Sequence, residues 1–291
     1  MSLHVLATGV LTTVQDRGRT GHAHLGVPRA GALDAPAAAL ANRIVGNEPA
    51  AAVLEVLLGD LELRTDEGCW VAVTGASAPL TVGDDARGHG RAEWVPAGAT
   101  VRLGQPMTGL RSYVAVAGGI AVEPVLGSRS TDTLAWVGPP RVEAGALLPV
   151  GEPRGEPRAV DAPRSPRPGP LRVTPGPRAD WFTDDALDRL CGAAYVVEAD
   201  SNRVGLRLDG PALRRRDARE LASEGMVLGA VQVPPSGKPV VFLADHPPTG
   251  GYPVIGVVDV EDLWQCAQLR PGDEVRFSRR RSRPAPAGAR H

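Results

Sequence analysis

Short apolar or β-rich runs recur along this chain with Gly, Pro or Asp between them: LHVLATG near the start, LELRT at 61–65, WVAVTG at 70–75, TVRLG at 100–104 and RSYVAVAGG at 111–119. Runs this short suit strands, and the glycines between them suit turns and bulges. A mostly β first half is predicted. One helix interrupts it over residues 34–47, DAPAAALANRIVGN. Asp34 reads as its N-cap behind the apolar Leu33, Pro36 lies in the first turn where a missing N–H costs little, and Gly46 with Asn47 ends it. Leu40 and Ile44 fall on one face.

The pattern then breaks. Residues 151–170, GEPRGEPRAVDAPRSPRPGP, hold six prolines and four arginines, with Val160 the only bulky aliphatic side chain. Such a stretch cannot build a core and is predicted to link a β-rich domain over 1–150 to a second one over 171–278. In that second unit the alternation restarts with LRVTPG, a helix over about 184–190, AAYVVEA, VGLRLDG, MVLGAVQVPP, PVVFLAD and PVIGVV. A last helix is expected after Asp259, with Asp262 near the positive end of its dipole. RPGDEVRF supplies a final strand, and 279–291 reads as a disordered basic tail.

Composition narrows the class. With 291 residues, 43% of them hydrophobic and 22% charged, the chain can bury a core without disulfides or metals and is not wholly disordered. Lys plus Arg number 32 against 33 Asp plus Glu, so no overall field would draw in nucleic acid, which is not an expected partner. Lys238 is the only lysine. Guanidinium groups grip carboxylates, carbonyls and phosphates well, although coding bias towards Arg gives the same composition. Cys69, Cys191 and Cys266 are odd in number and far apart. This argues against a disulfide framework or a thiolate metal site and for a reducing, cytoplasmic location. No signal-like start and no membrane-length apolar run are present, so no membrane is expected as partner.

The chain contains no GxxxxGK[ST], HExxH or GxSxG run and no close Cys/His group. ATP binding, zinc hydrolysis and ordinary esterase chemistry are therefore not supported within it, and no metal site is predicted. Polar residues crowd four glycine-rich or strand-edge stretches instead. Residues 12–34 carry Gln15, Asp16, Arg17, Arg19, His22, His24, Arg29 and Asp34. Such a loop can position a small polar substrate, with Asp orienting Arg or His and His exchanging protons near neutrality; the same groups would equally tie down a loop and cap a helix. Residues 117–133 combine Gly118 and Gly119 with Ser128, Arg129, Ser130 and Thr131, a guanidinium and hydroxyls suited to a carbonyl or an anion, or to a surface turn. Residues 223–258 place Glu224, Gln232, Asp245, His246, Thr249 and Tyr252 around Pro and Gly turns at a strand rim. In SNRVGLRLDGP, alternation puts Arg203 and Arg207 on one face, away from Leu206 and Leu208, to meet a carboxylated ligand or water.

With TTVQDRGRTG at 12–21, HLGVPRAGALD at 24–34, ANRIVGN at 41–47, GSRST at 127–131, SNRVGLRL at 201–208, GAVQVPPSGKP at 229–239, ADHPPTGGYP at 244–253 and AQLRPGD at 267–273, the chain resembles a known family. These are the C-type subunits of prokaryotic ATP-dependent 5-oxoprolinase, also called the allophanate hydrolase subunit 2 or Kip-antagonist-like family. The module is also similar to the second part of the carboxyltransferase region of urea carboxylase, a biotin enzyme. The resemblance implies two cyclophilin-like β-barrel domains with a few short helices. The partner it implies is the Kip inhibitor-like B-type subunit, joined by an A-type component in the full oxoprolinase. ATP is then used by the complex, with no cofactor bound by this chain alone. Carried over by motif, the catalytic set is Asp16, His24, Arg129, Asp245 and Tyr252. Substrate contacts fall to Gln15, Arg19, Ser128, Ser130, Thr131, Arg203, Arg207, Glu224, Gln232 and Thr249. Asn42 and Asn47 also lie in the motifs. Pro247 and Pro248 depart from the family's more usual DRQTTGGYP and reshape that loop without removing Asp245, Thr249 or Tyr252. The expected reaction is opening of 5-oxo-L-proline to L-glutamate. Carboxyl transfer to urea or another amide from biotin on a separate carrier, and a non-enzymatic antagonist of a Kip inhibitor-like protein, use the same module. The loop at 15–34 and the rim at 245–252 are expected to converge on one cleft.

Overall fold

The computed structural model describes residues 1–159, 168–216, 219 and 221–280. Most of the predicted tail and positions 160–167 of the predicted linker lie outside the described residues. The first half contains β1 (Ser2–Thr8), β2 (Leu11–Gln15), β3 (Val53–Leu57), β4 (Leu61–Thr65), β5 (Cys69–Ser77), β6 (Leu80–Val82), β7 (Asp85–Arg87), β8 (Glu93–Val95), β9 (Thr100–Leu103), β10 (Thr108–Val116) and β11 (Leu147–Pro149). They form a six-stranded sheet, β11-β1-β4-β9-β6-β7, and a five-stranded sheet, β2-β3-β10-β5-β8. Alternation works as the sequence pattern demands. In β4, Leu61 and Leu63 are buried while Arg64 points to solvent.

The two sheets share one core, with Leu3, Val5, Leu63 and Leu103 from one facing Val14, Leu54, Val71 and Val114 from the other. The outer face of the five-stranded sheet is covered by α1 (Ala35–Ile44), whose Ala38, Ala41 and Ile44 pack on Ala72, Tyr113 and Ala115. Burial on both faces explains why WVAV and YVAV read as continuous apolar runs. Asp34 caps α1 by accepting from the Ala37 N–H at 3.0 Å, and Gly46 turns the chain out with φ +78°. Small residues set the buried face; Leu40, placed on it by the sequence pattern, is only half-buried.

The second half contains β12 (Leu171–Pro175), α2 (Ala186–Gly192), β13 (Ala194–Val197), β14 (Gly205–Asp209), β15 (Glu224–Gly225), β16 (Ala230–Gln232), β17 (Val240–Phe242), β18 (Thr249–Gly250), β19 (Val254–Val258), α3 (Leu263–Cys266) and β20 (Glu274–Arg279). Seven of these strands close a barrel in the order β12-β19-β16-β17-β14-β13-β20, while β15 and β18 pair beside it. Closure comes from a parallel pairing of the first and last strands, Leu171 opposite Phe277. Leu171, Tyr195, Leu208, Val231, Val241 and Phe277 fill its interior, and Leu33 from the first half joins that core.

The expectation of two cyclophilin-like barrels is therefore corrected: one closed seven-stranded barrel is joined to open sheets. In the first half β11, β7, β2 and β8 end their sheets, and the two sheets bury their apolar faces against each other. Alternation fixes which side chains point inward, but closure depends on whether terminal strands meet. No helix among the described residues is long and apolar enough to cross a membrane.

Candidate functional site

At the end of β2 the chain folds back on itself. Arg19 N donates to Arg29 O at 2.8 Å and Ala32 N to Asp16 O at 3.0 Å, so residues 16–19 lie against 29–32. A Cβ on Gly18 would sit 2.5 Å from Arg29 O, and one on Gly31 would sit 3.0 Å from the Arg17 backbone; both have positive φ, +77° and +103°. Only glycine fits those two positions, which is the physical content of the DRG and RAG triplets. Ala30 N then donates to Ala244 O at 2.9 Å, docking the loop on the barrel.

Asp16 is the centre of a cradle. Its Oδ1 accepts from Gly18 N at 2.8 Å and from the Ser128 and Ser130 hydroxyls at 2.6 Å each, and its Oδ2 accepts from Arg129 N at 2.6 Å. Burial pushes this carboxyl up, but the two serine hydroxyls and the Arg129 and Gly18 N–H groups outweigh it and hold the acid below the usual range. Asp16 is thus a fixed anion at neutral pH and a weak proton acceptor. Arg19, almost wholly buried, donates to the Ser130 carbonyl and, at 3.4 Å, to Val125 O. Gln15 Nε2 donates to Thr13 Oγ1 at 3.0 Å and Thr131 O at 2.9 Å. Gln15 Oε1, Arg19 Nη1 and Thr131 Oγ1 are buried with no hydrogen-bond partner among the described residues.

Gln15, Asp16, Arg19, Ser128, Arg129, Ser130 and Thr131, far apart in sequence, are therefore one cluster. Two cavities flank it. One of ≈ 330 Å³ is lined by Gln15, Asp16, Arg17 and Arg29, by Pro36 of α1, and by Leu228, Val260, Leu263 and Trp264 of the barrel half. The other, ≈ 440 Å³, is lined by Asn47, Gly118, Gly119, Arg129 and Arg154, and Ala51 borders both. Arg129 Nε is held by Val122 O at 2.6 Å.

Arg203 and Asp245 lie elsewhere. They are 2% and 0% exposed, and Arg203 grips both Asp245 oxygens at 2.8 Å while donating to Glu55 Oε1 at 2.5 Å and Gly31 O at 2.8 Å. Glu55 also accepts from Leu33 N and Tyr113 Oη, both at 2.9 Å, and Asp245 from Thr133 N at 2.9 Å and Thr133 Oγ1 at 2.7 Å. This is a saturated joint between sheets and barrel. The expectation that Arg203 and Arg207 share a face fails. Arg203 precedes β14 and turns inward, whereas Arg207 faces out and pairs with Asp200 at 3.0 Å.

Glu224, Gln232, Thr249 and Tyr252 form a third group on the barrel. Glu224 lies opposite Gly250 and pairs with Arg178, Gln232 Nε2 donates to Tyr252 O at 3.1 Å, and the Arg215 guanidinium sits 5.7 Å from the Tyr252 ring centre. None of the four lines either cavity beside Asp16. The loop at 15–34 meets the barrel half through Ala30 N on Ala244 O and through Arg203, which bridges Gly31 O and Asp245. His24 is exposed on a single 3₁₀ turn, with Nδ1 3.1 Å from Gly21 O, and His246 is buried and stacked on Phe242. The sequence places Arg17 and Arg29 in the polar loop without assigning them contacts, includes Glu55 and Gln268 in matching stretches (LE at 54–55, AQLRPGD at 267–273) without giving them a role, and does not single out Arg154. Gln268 Nε2 donates to Asp34 Oδ2 at 2.8 Å, and its Oε1 accepts from Leu110 N at 3.0 Å and Arg111 N at 3.1 Å. A charge inside VLEVL, a buried strand, was the available signal for Glu55.

Comparison with known proteins identifies the class as a carboxyltransferase-type module. Residues 25–279 match the family described as carboxyltransferase domain, subdomain A and B, and the chain belongs to that family. It is 37% identical to the C-type subunit of 5-oxoprolinase from Escherichia coli (strain K12) over 279 residues, covering 94% of this chain and 90% of that protein. Against the urea amidolyase of Saccharomyces cerevisiae it is 31% identical over 308 residues, 95% of this chain but 16% of that protein. The crystal structure of Kluyveromyces lactis urea amidolyase matches with a TM-score of 0.88 at 30% identity, over 95% of this chain and 18% of that one.

Proposed function

We propose that this chain acts as the C-type subunit of a multi-subunit, ATP-dependent 5-oxoprolinase that opens 5-oxo-L-proline to L-glutamate only together with its A-type and B-type partners. The observation that carries this reading is the extent of the likeness: it spans 90% of the E. coli 5-oxoprolinase component and 16% of the yeast urea amidolyase. Lactam opening builds negative charge on the amide oxygen, which fixed donors stabilise. Arg129 is the donor best placed for this, because Asp16 pins its backbone N–H and the side chain borders a cavity. In this reading Asp16 is a positioning residue, Arg203 and Asp245 hold the two halves together, and partner chains supply ATP-driven activation and proton transfer.

Steady-state assays of this chain, of the A-type and B-type partners, and of the mixture test the reading with 5-oxo-L-proline and ATP. Glutamate is expected only from the mixture, and Arg129→Ala in an intact complex is expected to lower kcat about 10²-fold or more, the usual loss for one transition-state donor. Glutamate formation by this chain alone would overturn it. Carboxyl transfer is the second reading, favoured by the fold match to urea amidolyase. It predicts turnover of urea with carboxylated biotin on a separate carrier and none of 5-oxo-L-proline.

A further inference from the structure

The predicted linker begins with a tandem repeat, GEPR at 151–154 and again at 155–158. Each repeat opens on a glycine, and each of these glycines crosses a second glycine at backbone contact. A Cβ on Gly151 would sit 2.5 Å from Gly118 O, and one on Gly155 would sit 2.6 Å from Gly46 O. Gly118 and Gly46 have φ of +97° and +78°, so neither crossing admits a side chain from either side. Between the crossings, Glu152, Pro153 and Arg154 line the ≈ 440 Å³ cavity together with Asn47, Ala121 and Arg129. Little else holds this segment. Gly151 N donates to Gly119 O at 3.0 Å and Arg158 N to Ile44 O at 2.9 Å, and among the described residues no other backbone hydrogen bond ties 151–158 down. Residues 152–156 are exposed, and the side chains of Glu152, Arg154, Glu156 and Arg158 have no hydrogen bond or ion pair among the described residues. The two ends differ. Gly151 follows directly from β11 in the six-stranded sheet, through Val150 bridged to Ile120, whereas Arg158 is held at the C-terminal end of α1. Pro153 and Pro157 lock their own φ and favour extended backbone at Glu152 and Glu156, so the piece between the glycines is stiff and rotation concentrates at Gly151 and Gly155. A segment with few buried contacts and few backbone hydrogen bonds opens locally while the rest of the fold stays intact.

We propose that residues 151–158 form a strap over the cavity beside Arg129, hinged at Gly151 and latched where Gly155 lies on Gly46, and that unlatching the strap admits a ligand to that cavity. Two glycines at the latch bring the backbones together with no interlocking side chains, so the contact parts without repacking a core. The inference rests on the proposed function for the role of Arg129 at the substrate; the motion of the strap does not depend on what the ligand is.

The full chain is given a reporter thiol, Ala121→Cys, in a Cys191→Ser background, in which the remaining Cys69 and Cys266 are buried. Ala121 lines the cavity, and its Cβ lies 3.9 Å from where a Cβ on Gly151 would be. The rate of labelling by a small methanethiosulfonate reads access to the cavity. Trypsin cleavage after Arg154, normalised to the same bond in the unfolded chain, reads lifting of the strap. Gly155→Val cannot seat its side chain against Gly46 O, and is expected to raise both rates about ten-fold or more with the thermal midpoint unchanged. Arg158→Pro removes the donor to Ile44 O without touching either crossing and should act in the same direction, which keeps the test open should Gly155→Val fail to fold. Labelling of the reference protein as fast as that of an unfolded peptide thiol would mean that the closed strap excludes nothing. Labelling within about two-fold of the reference in both variants would mean that the strap does not control access. Either result overturns the proposal. Faster labelling in the variants, with no glutamate from the assembled wild-type complex, upholds the strap and removes the 5-oxoprolinase reading. Glutamate from that complex, with labelling unchanged in both variants, keeps the reading and removes the strap.

Discussion

The cluster around Asp16 and the cluster around Arg203 both join Arg and Asp from distant parts of the chain, and both touch the loop at 15–34, yet their hydrogen-bonding accounts differ. Around Arg203 and Asp245, Glu55, Gly31 and Thr133 leave no side-chain atom of the pair without a partner. Around Asp16, Gln15 Oε1, Arg19 Nη1 and Thr131 Oγ1 have none, and two cavities adjoin. A closed network stabilises one arrangement of the halves, whereas each unpartnered buried polar atom beside Asp16 costs free energy. Residue type alone does not separate the two, because Asp245 and Asp16 carry the same carboxylate.

The contrast is broken most directly at the joint. Truncating Arg203 strands Asp245 and Glu55 in the interior, and removing one partner of a buried pair costs about 3–5 kcal/mol. Arg203→Ala is therefore expected to lower the unfolding free energy by about that amount, measured by urea denaturation with the slope unchanged. A loss under about 1 kcal/mol, the range of an exposed ion pair, would mean that the joint is wet and the comparison misdrawn.

Asp16→Asn is expected to cost less, about 1–3 kcal/mol, because some donors aimed at Oδ1 and Oδ2 then face an amide N–H₂. Its pH dependence gives the sign. The folded-state value lies below the ordinary 3.8, so the carboxylate contributes its full stability above that pH and loses it as the pH falls through the folded-state value. The stability gap between wild type and Asp16→Asn should stay level near neutrality and narrow only in strong acid. Narrowing already near neutrality would identify a raised acid able to exchange protons, and would return Asp16 to a catalytic role.

How much of this was legible in the chain follows from the range of each interaction. The cap at Asp34 and the stop at Gly46 depend on neighbours a few residues away, and the sequence pattern located them. The cradle was half legible. QDRG and GSRS each signalled a polar turn, but only the fold places Ser128 and Ser130 on the Asp16 carboxylate. Barrel closure was not legible, because it rests on β12 meeting β20, and an open sheet of the same alternating strands would have the same periodicity. Nor was the inward turn of Arg203: strand alternation extended back from β14 put it on the face of Arg207, towards a ligand or water, while the buried Glu55 and Asp245 draw it inside.

The smallest effect is expected at the barrel rim. Arg207 is exposed and paired with Asp200 on the surface, and Glu224 pairs with Arg178 at β15. Exposed pairs of this kind are screened and hold long side chains at an entropic cost, so Arg207→Ala should change stability by less than about 0.5 kcal/mol. Neither residue lines the cavities beside Asp16, so Arg207→Ala and Glu224→Gln should each bind 5-oxo-L-proline within about two-fold of wild type if wild type binds it, an affinity difference of about 0.4 kcal/mol. Turnover of the assembled complex distinguishes the remaining roles. Rates within two-fold of wild type would leave the rim as surface. A ten-fold drop with unchanged binding and stability would mean that Glu224, Gln232, Thr249 and Tyr252 belong to a second site which a docked partner completes, and the comparison would then gain a third cluster, open only in the complex.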